Sequence, residues 1–171
     1  MAFDLVFENR FGFEVDASYD DVFTVLSDIP LVSSLHPNLD RIVDLGNGHF
    51  RWEMKKLGTD QIKLQLLYTC LYQSDRNTGT ISWAPAPGEG NVQVTGRFQL
   101  QQQPQCTRVE THITSILSVP LPGLMKKLVQ QFASREDKKV TRQYVDNLIQ
   151  HFGRYHRTDS ADLCQPNTTM F

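Results

Sequence analysis

The end of this chain dictates what must precede it. Pro120-Leu121-Pro122-Gly123 is followed by an uninterrupted stretch with no proline or glycine until Gly153. A proline before a helix and a glycine after it are start and stop signals, so Leu121 to Phe152 predicts one long helix. Leu128, Phe132, Val140, Tyr144, Leu148 and Phe152 recur within it at four-residue steps. Each such step overshoots a full turn by about 40°. The apolar row therefore winds around the helix, which must bend or lie diagonally over a curved surface. Glu136 occupies one rung of this ladder, where an apolar residue belongs. A carboxylate over a core is costly unless it is paired or hydrated. Glu136 either marks a cavity beneath the helix or sits at the edge of the stripe and reaches water.

The remaining residues are enough for one domain with a substantial core: 171 in all, 40% hydrophobic and 21% charged. The domain is expected over residues 1–153, and the polar, aperiodic segment 154–171 reads as a mobile tail. No apolar run approaches the roughly 20 residues of a membrane span. Met1-Ala2-Phe3-Asp4-Leu5 lacks the basic and apolar regions of a signal peptide, so a cytoplasmic location is expected. Cys70, Cys106 and Cys164 have no metal-type spacing and read as reduced thiols, with Cys70 a core filler. Charge is uneven: residues 1–30 carry seven acids against Arg10, whereas residues 121–157 carry eight bases against three acids. That pattern either marks an anionic partner or lets the two ends neutralise each other across the fold.

Phe3 to Val15 alternates apolar and polar residues, with a phase that holds through Asn9, as in one long half-buried strand. Ser18 with Asp20 and Asp21 reads as the capped start of a short helix ending near Asp28, and Leu31 to Leu35 as a second, stopped at His36-Pro37. A meander follows. Arg41–Leu45 and His49–Lys56 flank Asn47-Gly48, the dipeptide suited to a tight hairpin. Gln61–Gln73 reads as one long strand, Thr80–Ala84 as the next, and 85–90 as loop. Val92 to Leu100 reads as a strand bent or bulged at Gly96, and Thr107–Val119 as the last. Strand, two short helices, six meandering strands and one long helix make an α+β fold. A sheet of about seven strands must curl, and one diagonal helix over its concave face leaves space between them.

Phe13–Phe23, then Val25-Leu26-Ser27-Asp28 and the His36-Pro37 exit, resemble the START/Bet v 1-like (SRPBCC, helix-grip) superfamily. Within it they are most similar to the polyketide cyclase/dehydrase and coenzyme Q-binding branch. The long helix after a proline-rich turn matches as well, so the resemblance spans roughly residues 3–152. One departure is Ile29 before Pro30, where that branch carries an aromatic residue. The resemblance implies a curved sheet wrapped around the C-terminal helix and a cavity for hydrophobic ligands such as lipids, isoprenoid quinones or polyketide-like rings.

No phosphate-binding loop, nucleophile elbow or His-Glu-x-x-His motif is present, and the five histidines lack ligand spacing, so neither cofactor nor metal is expected. The inward phase supplies a wall or, equally, an ordinary core: Trp52, Met54, Leu66, Tyr68, Trp83, Phe98, Thr111 and Ile113 from the strands, with Met125, Val129, Phe132 and Glu136 from the helix. Buried indole and phenol groups need partners, and such polar tips orient ligands in apolar pockets. An enzyme would require an acid and a base in that space. Glu136 as base with Tyr68 or His36 as acid are the candidates. Two functions follow: binding, transport or presentation of a hydrophobic small molecule, or a cofactor-free cyclase or dehydratase using the same cavity. Nucleic acid is not an expected partner. Lys126 and Lys127 suggest transient contact with an anionic membrane, and the oligomeric state stays open.

Overall fold

The computed structural model describes residues 2–58, 63–152 and 169–170. β1 (Phe3–Val15) pairs along its whole length with β9 (Thr107–Val119), from Phe3↔Val119 to Val15↔Thr107. Between them lie α1 (Tyr19–Ser27), α2 (Ile29–Ser34), β2 (Leu39–Gly46), β3 (His49–Met54), β4 (Leu57–Gly58), β5 (Lys63–Leu64), β6 (Leu67–Asp75), β7 (Thr80–Pro85) and β8 (Val92–Gln102). A single 3-10 turn, Gly123–Met125, leads into α3 (Lys126–His151), and β10 (Thr169–Met170) pairs with Phe11 and Gly12. The main sheet is antiparallel in the order β10-β1-β9-β8-β7-β6-β3-β2, with β4 and β5 forming a separate small ladder. The seven longer strands of the main sheet, two short helices after the first and one long helix make the expected helix-grip α+β fold. The tail expected over residues 154–171 lies, apart from β10, outside the described residues.

Local signals explain the joints. Ser18 Oγ accepts from Asp21 N–H at 3.1 Å and caps α1, and Asp28 Oδ1 accepts from Leu31 N–H at 3.1 Å and caps α2. Pro30 sits in the first turn of α2, where a missing N–H costs nothing. Asn47 and Gly48 both take positive φ, 52° and 77°, the geometry a two-residue hairpin turn demands.

Three expectations need correction. The strand expected over Gln61–Gln73 is broken at Gln65-Leu66. Asn91 fills the gap: its Nδ2 donates to Gln65 O at 2.9 Å and its Oδ1 accepts from Leu67 N–H at 3.0 Å. A side chain 26 residues away thus replaces the missing strand neighbour. Gly96 makes no bulge against β9, whose register runs through it at Ile113, while the pairing with β7 ends at it, opposite Trp83. Its missing side chain makes room: a Cβ there would lie 2.5 Å from Trp83 Cζ2. Finally, Cys106 is disulfide-bonded rather than reduced, while Cys70 is free and buried. An odd count and irregular spacing do not exclude one pair.

The core lies between the concave face of the sheet, α1, α2 and the C-terminal part of α3, where Tyr144, Val145, Leu148 and Ile149 are buried. A smaller cluster, Leu5, Leu117 and Val119 with Val129 and Ala133 against it, holds the N-terminal part of α3. No helix of the described residues is long and apolar enough to cross a membrane.

Candidate functional site

The N-terminal half of α3 does not close down on the sheet as the C-terminal half does. Beneath it the described residues enclose a cavity of about 580 Å3. That volume is within the ordinary range for small-molecule sites. Its floor comes from the inward phase of the strands: Phe7 and Phe11 of β1, Val94 and Phe98 of β8, Ile113, Ser115 and Leu117 of β9. Leu128 and Phe132 line the cavity and are also more than half exposed, so they stand at its mouth. Leu57, Gly58 and Leu64 of the β4–β5 ladder also contribute to the wall.

An aromatic wall runs along one side. Trp52 and Tyr68, paired across β3 and β6, stack with ring centroids 5.7 Å apart. His36 meets the edge of Trp52 at 6.0 Å and Tyr144 at 5.0 Å. Tyr72 continues the wall to Trp83 at 5.8 Å, and Trp83 meets Phe98 at 5.1 Å. Gly96 is the reason the Trp83 indole can lie flat against β8.

Several polar groups in this wall lack partners. Trp52 Nε1 is buried with no hydrogen bond; the Tyr72 hydroxyl lies near it without closing one. His36 Nδ1 accepts from Asn38 N–H at 3.3 Å, which leaves the neutral ring's proton on Nε2. Burial lowers the pKa of His36 to about 4, so the ring is neutral at physiological pH. Desolvation pushes the phenols of Tyr68 and Tyr72 well above the ordinary tyrosine range, so both stay protonated. Tyr144, raised by the same cause, donates to Val32 O at 3.2 Å and ties α3 to α2.

A second polar group faces the cavity from the opposite side. Asn9 Nδ2 donates to Asp137 Oδ2 at 2.9 Å, linking β1 to α3. Desolvation raises the pKa of Asp137, against the opposing effects of the Asn9 hydrogen bond and the nearby Lys138 charge. Glu136 and Thr141 line the same side.

Of the residues expected from the sequence, Trp52, Met54, Leu66, Tyr68, Trp83, Phe98, Ile113, Met125, Val129, Phe132 and Glu136 come together on the cavity wall, and His36 joins them. Thr111 does not. It is buried within β9 opposite Phe11 and Phe98, with its hydroxyl unpartnered, and lies outside the lining. Asp137 and Tyr72 were not among the expected site residues. Tyr72 shares the inward phase of Tyr68, and Asp137 is the helical neighbour of Ala133 and Thr141, so both carried a positional signal. Among the described residues no group of His, Cys, Asp and Glu could hold a metal ion.

No protein-family model matches the chain, and no curated protein sequence matches it. Solved structures do. The Zhui aromatase/cyclase from Streptomyces sp. R1128 superposes with a TM-score of 0.62 at 12% identity, over 91% of this chain and 99% of that one. A START superfamily protein from Mycobacterium smegmatis gives 0.56 at 14% identity, over 88% and 97%. The di-domain aromatase/cyclase StfQ of the steffimycin biosynthetic pathway gives 0.54 at 12% identity, over 85% of this chain and 49% of that one. At such identities the likeness concerns architecture: the chain has the helix-grip fold shared by START-superfamily proteins and polyketide aromatase/cyclases.

Proposed function

We propose that this protein binds one hydrophobic small molecule, bearing at least one polar substituent, in the cavity under α3. The observation that carries this reading is a roomy, mostly apolar cavity in which a few convergent polar groups lack partners. A well-packed interior leaves few voids larger than a water molecule and few buried polar atoms unsatisfied. A ligand that stacks on the aromatic wall fills that void and offers partners to the polar groups of His36, Tyr68 and Tyr72. Leu124 is almost fully exposed, and with Leu128 and Phe132 it forms an apolar lip close to Lys126 and Lys127. That lip suits transient contact with an anionic membrane during loading, each basic residue near such a surface contributing on the order of 1 kcal/mol.

A second reading, a cofactor-free cyclase or dehydratase, is favoured by the carboxyl of Asp137 with its raised pKa, and two of the similar structures are named aromatase/cyclases. Against it, an acid–base pair works best when its pKa values lie near the operating pH. His36 is held far below that pH, and Tyr68 and Tyr72 far above it. Binding is therefore the preferred reading. Native mass spectrometry of freshly purified protein tests it: the expected spectrum contains a one-to-one adduct that organic solvent removes. A spectrum of bare protein, together with no binding of any apolar compound in titrations, rejects it.

A further inference from the structure

The two polar groups of the cavity differ in kind. On the aromatic side the free polar atoms that line the cavity are donors: His36 Nε2 and the hydroxyls of Tyr68 and Tyr72, whereas Trp52 Nε1 is shielded behind them. Tyr68 and Tyr72 are surrounded by protein yet keep accessible surface, so that surface is cavity wall. Across the cavity the polar group consists of carboxylates and their partner: Asp137, Glu136 and Asn9. Asp137 and Tyr144, which touches His36, are seven residues apart on α3, or about 10 Å of helix rise. That is the length of a two-ring aromatic skeleton. Among the described lining residues there is no lysine or arginine. An anionic head would thus be desolvated without a counter-charge and would face two carboxylates.

We propose that the cavity selects neutral, flat ligands that present a carbonyl-type oxygen to His36, Tyr68 and Tyr72, and that it rejects the corresponding carboxylates. This rests on the cavity being a ligand site. A ketone oxygen accepts two hydrogen bonds without carrying charge, which satisfies donors that are otherwise unmet. A carboxylate accepts more strongly but brings a charge into a site with no cation, and a buried unpaired charge is disfavoured by several powers of ten.

Three compounds on one skeleton separate the possibilities: 6-propionyl-2-dimethylaminonaphthalene, 6-dimethylamino-2-naphthoate, and 2-dimethylaminonaphthalene with no acyl group. Titrated at pH 7.5 by fluorescence, the ketone is expected to bind at least about 100-fold tighter than the carboxylate. It should also bind roughly 10-fold tighter than the bare amine, the scale of one or two hydrogen bonds. Tyr68→Phe and Tyr72→Phe keep ring and volume, so they should fold. Each should weaken the ketone by several-fold, shift its bound emission to the blue, and leave the bare amine unchanged. The proposal is overturned if the carboxylate binds as tightly as the ketone, or if ketone affinity is indifferent to both variants; in both cases the cavity still binds ligand. If none of the three compounds binds, the ligand-site reading fails with it.

Discussion

Asn9 and Asp137, 128 residues apart in sequence, meet at 2.9 Å on one side of the cavity, the amide of one donating to the carboxylate of the other. This contact joins the first strand to the last helix beside a space that nothing else fills. Asn9 satisfies an oxygen that burial has made expensive, as the raised pKa of Asp137 records.

Asn9→Leu should therefore destabilise the protein by about 1–3 kcal/mol at pH 7, because it leaves a desolvated carboxylate without its donor. Asp137→Asn should be neutral or stabilising, since an amide oxygen still accepts from Asn9 and the buried charge is gone. Urea denaturation at pH 7 measures both. Equal losses in the two variants would mean that the contact is incidental.

His36 gives a pH dependence. In the folded chain burial lowers its pKa from 6.5 to about 4, whereas the unfolded chain takes the proton near 6.5. The folded state is therefore favoured above pH 6.5, and this contribution is lost as pH falls from 6.5 to 4. At about 1.4 kcal/mol per pH unit the loss totals about 3 kcal/mol. Asp137 acts in the opposite sense, because its raised pKa makes the folded chain take up the proton first. The carboxylates of Glu8 and Glu53, held low by hydrogen bonds from Arg10 and Arg41, act only below their ordinary value of 4.5. Stability of His36→Phe between pH 7 and 5 should be flatter than that of the parent. Parallel profiles would show that His36 is not the group responsible.

Trp83 depends on Gly96. A methyl group at position 96 would fall 2.5 and 2.6 Å from two atoms of the indole, closer than real Cβ contacts come. Gly96→Ala should displace the ring, costing about 1–3 kcal/mol as overpacking does. The Trp83→Phe background should absorb only part of that loss, since a smaller ring frees the space on its side while the His112 carbonyl oxygen, 2.9 Å from the added Cβ, stays in place. An undiminished loss in the double variant would place the strain in the backbone instead.

How much of this was legible beforehand depends on the range of the interaction. Period-two alternation located β1 and β9 and placed Asn9 on the inward face, because side-chain direction in a strand is a local property. Ser18 and Asn47-Gly48 are likewise local. The break at Gln65-Leu66 was invisible, because Asn91 causes it from a loop. The helix was half legible. Its four-residue ladder drifts by about 160° between Leu128 and Tyr144, so Leu128 and Phe132 end at the mouth while Tyr144 is buried. Attention to that ladder singled out Glu136 and passed over Asp137 beside it. Thr111 followed the inward phase correctly, yet the floor beneath it is filled.

The lip at the mouth predicts a surface effect without a stability effect. Leu128 and Phe132 are 66% and 52% exposed. Replacing both by serine should change folding free energy by less than about 1 kcal/mol, as exposed sites usually do. Lys126 already lies over the Phe3 ring, 6.0 Å from its centroid, so Lys127 is the freer cation. Sedimentation with vesicles of phosphatidylglycerol, compared with phosphatidylcholine, should show binding that weakens in the serine variant and in high salt. Binding indifferent to lipid charge would remove the membrane from the proposal.

The last prediction separates a carrier from an enzyme without knowledge of the natural ligand. A base in the cavity that can abstract a proton next to a carbonyl will do so for any ketone held near it, and in D2O the proton returns as deuterium. The propionyl methylene of 6-propionyl-2-dimethylaminonaphthalene reports this by NMR. If the protein is a carrier, exchange at pD 7.5 should match the buffer rate, because the groups nearest the proposed carbonyl site are neutral: His36 below its ordinary range, Tyr68 and Tyr72 above theirs. Asp137→Asn and Glu136→Gln should then change nothing. If the protein is a cyclase or dehydratase, exchange should run about 10²–10⁴-fold above buffer and collapse in whichever variant removes the base, while ketone affinity stays the same. We expect the buffer rate. The donors His36, Tyr68 and Tyr72 suit a carbonyl at rest, and Asp137 stands about 10 Å along α3 from Tyr144, which touches His36.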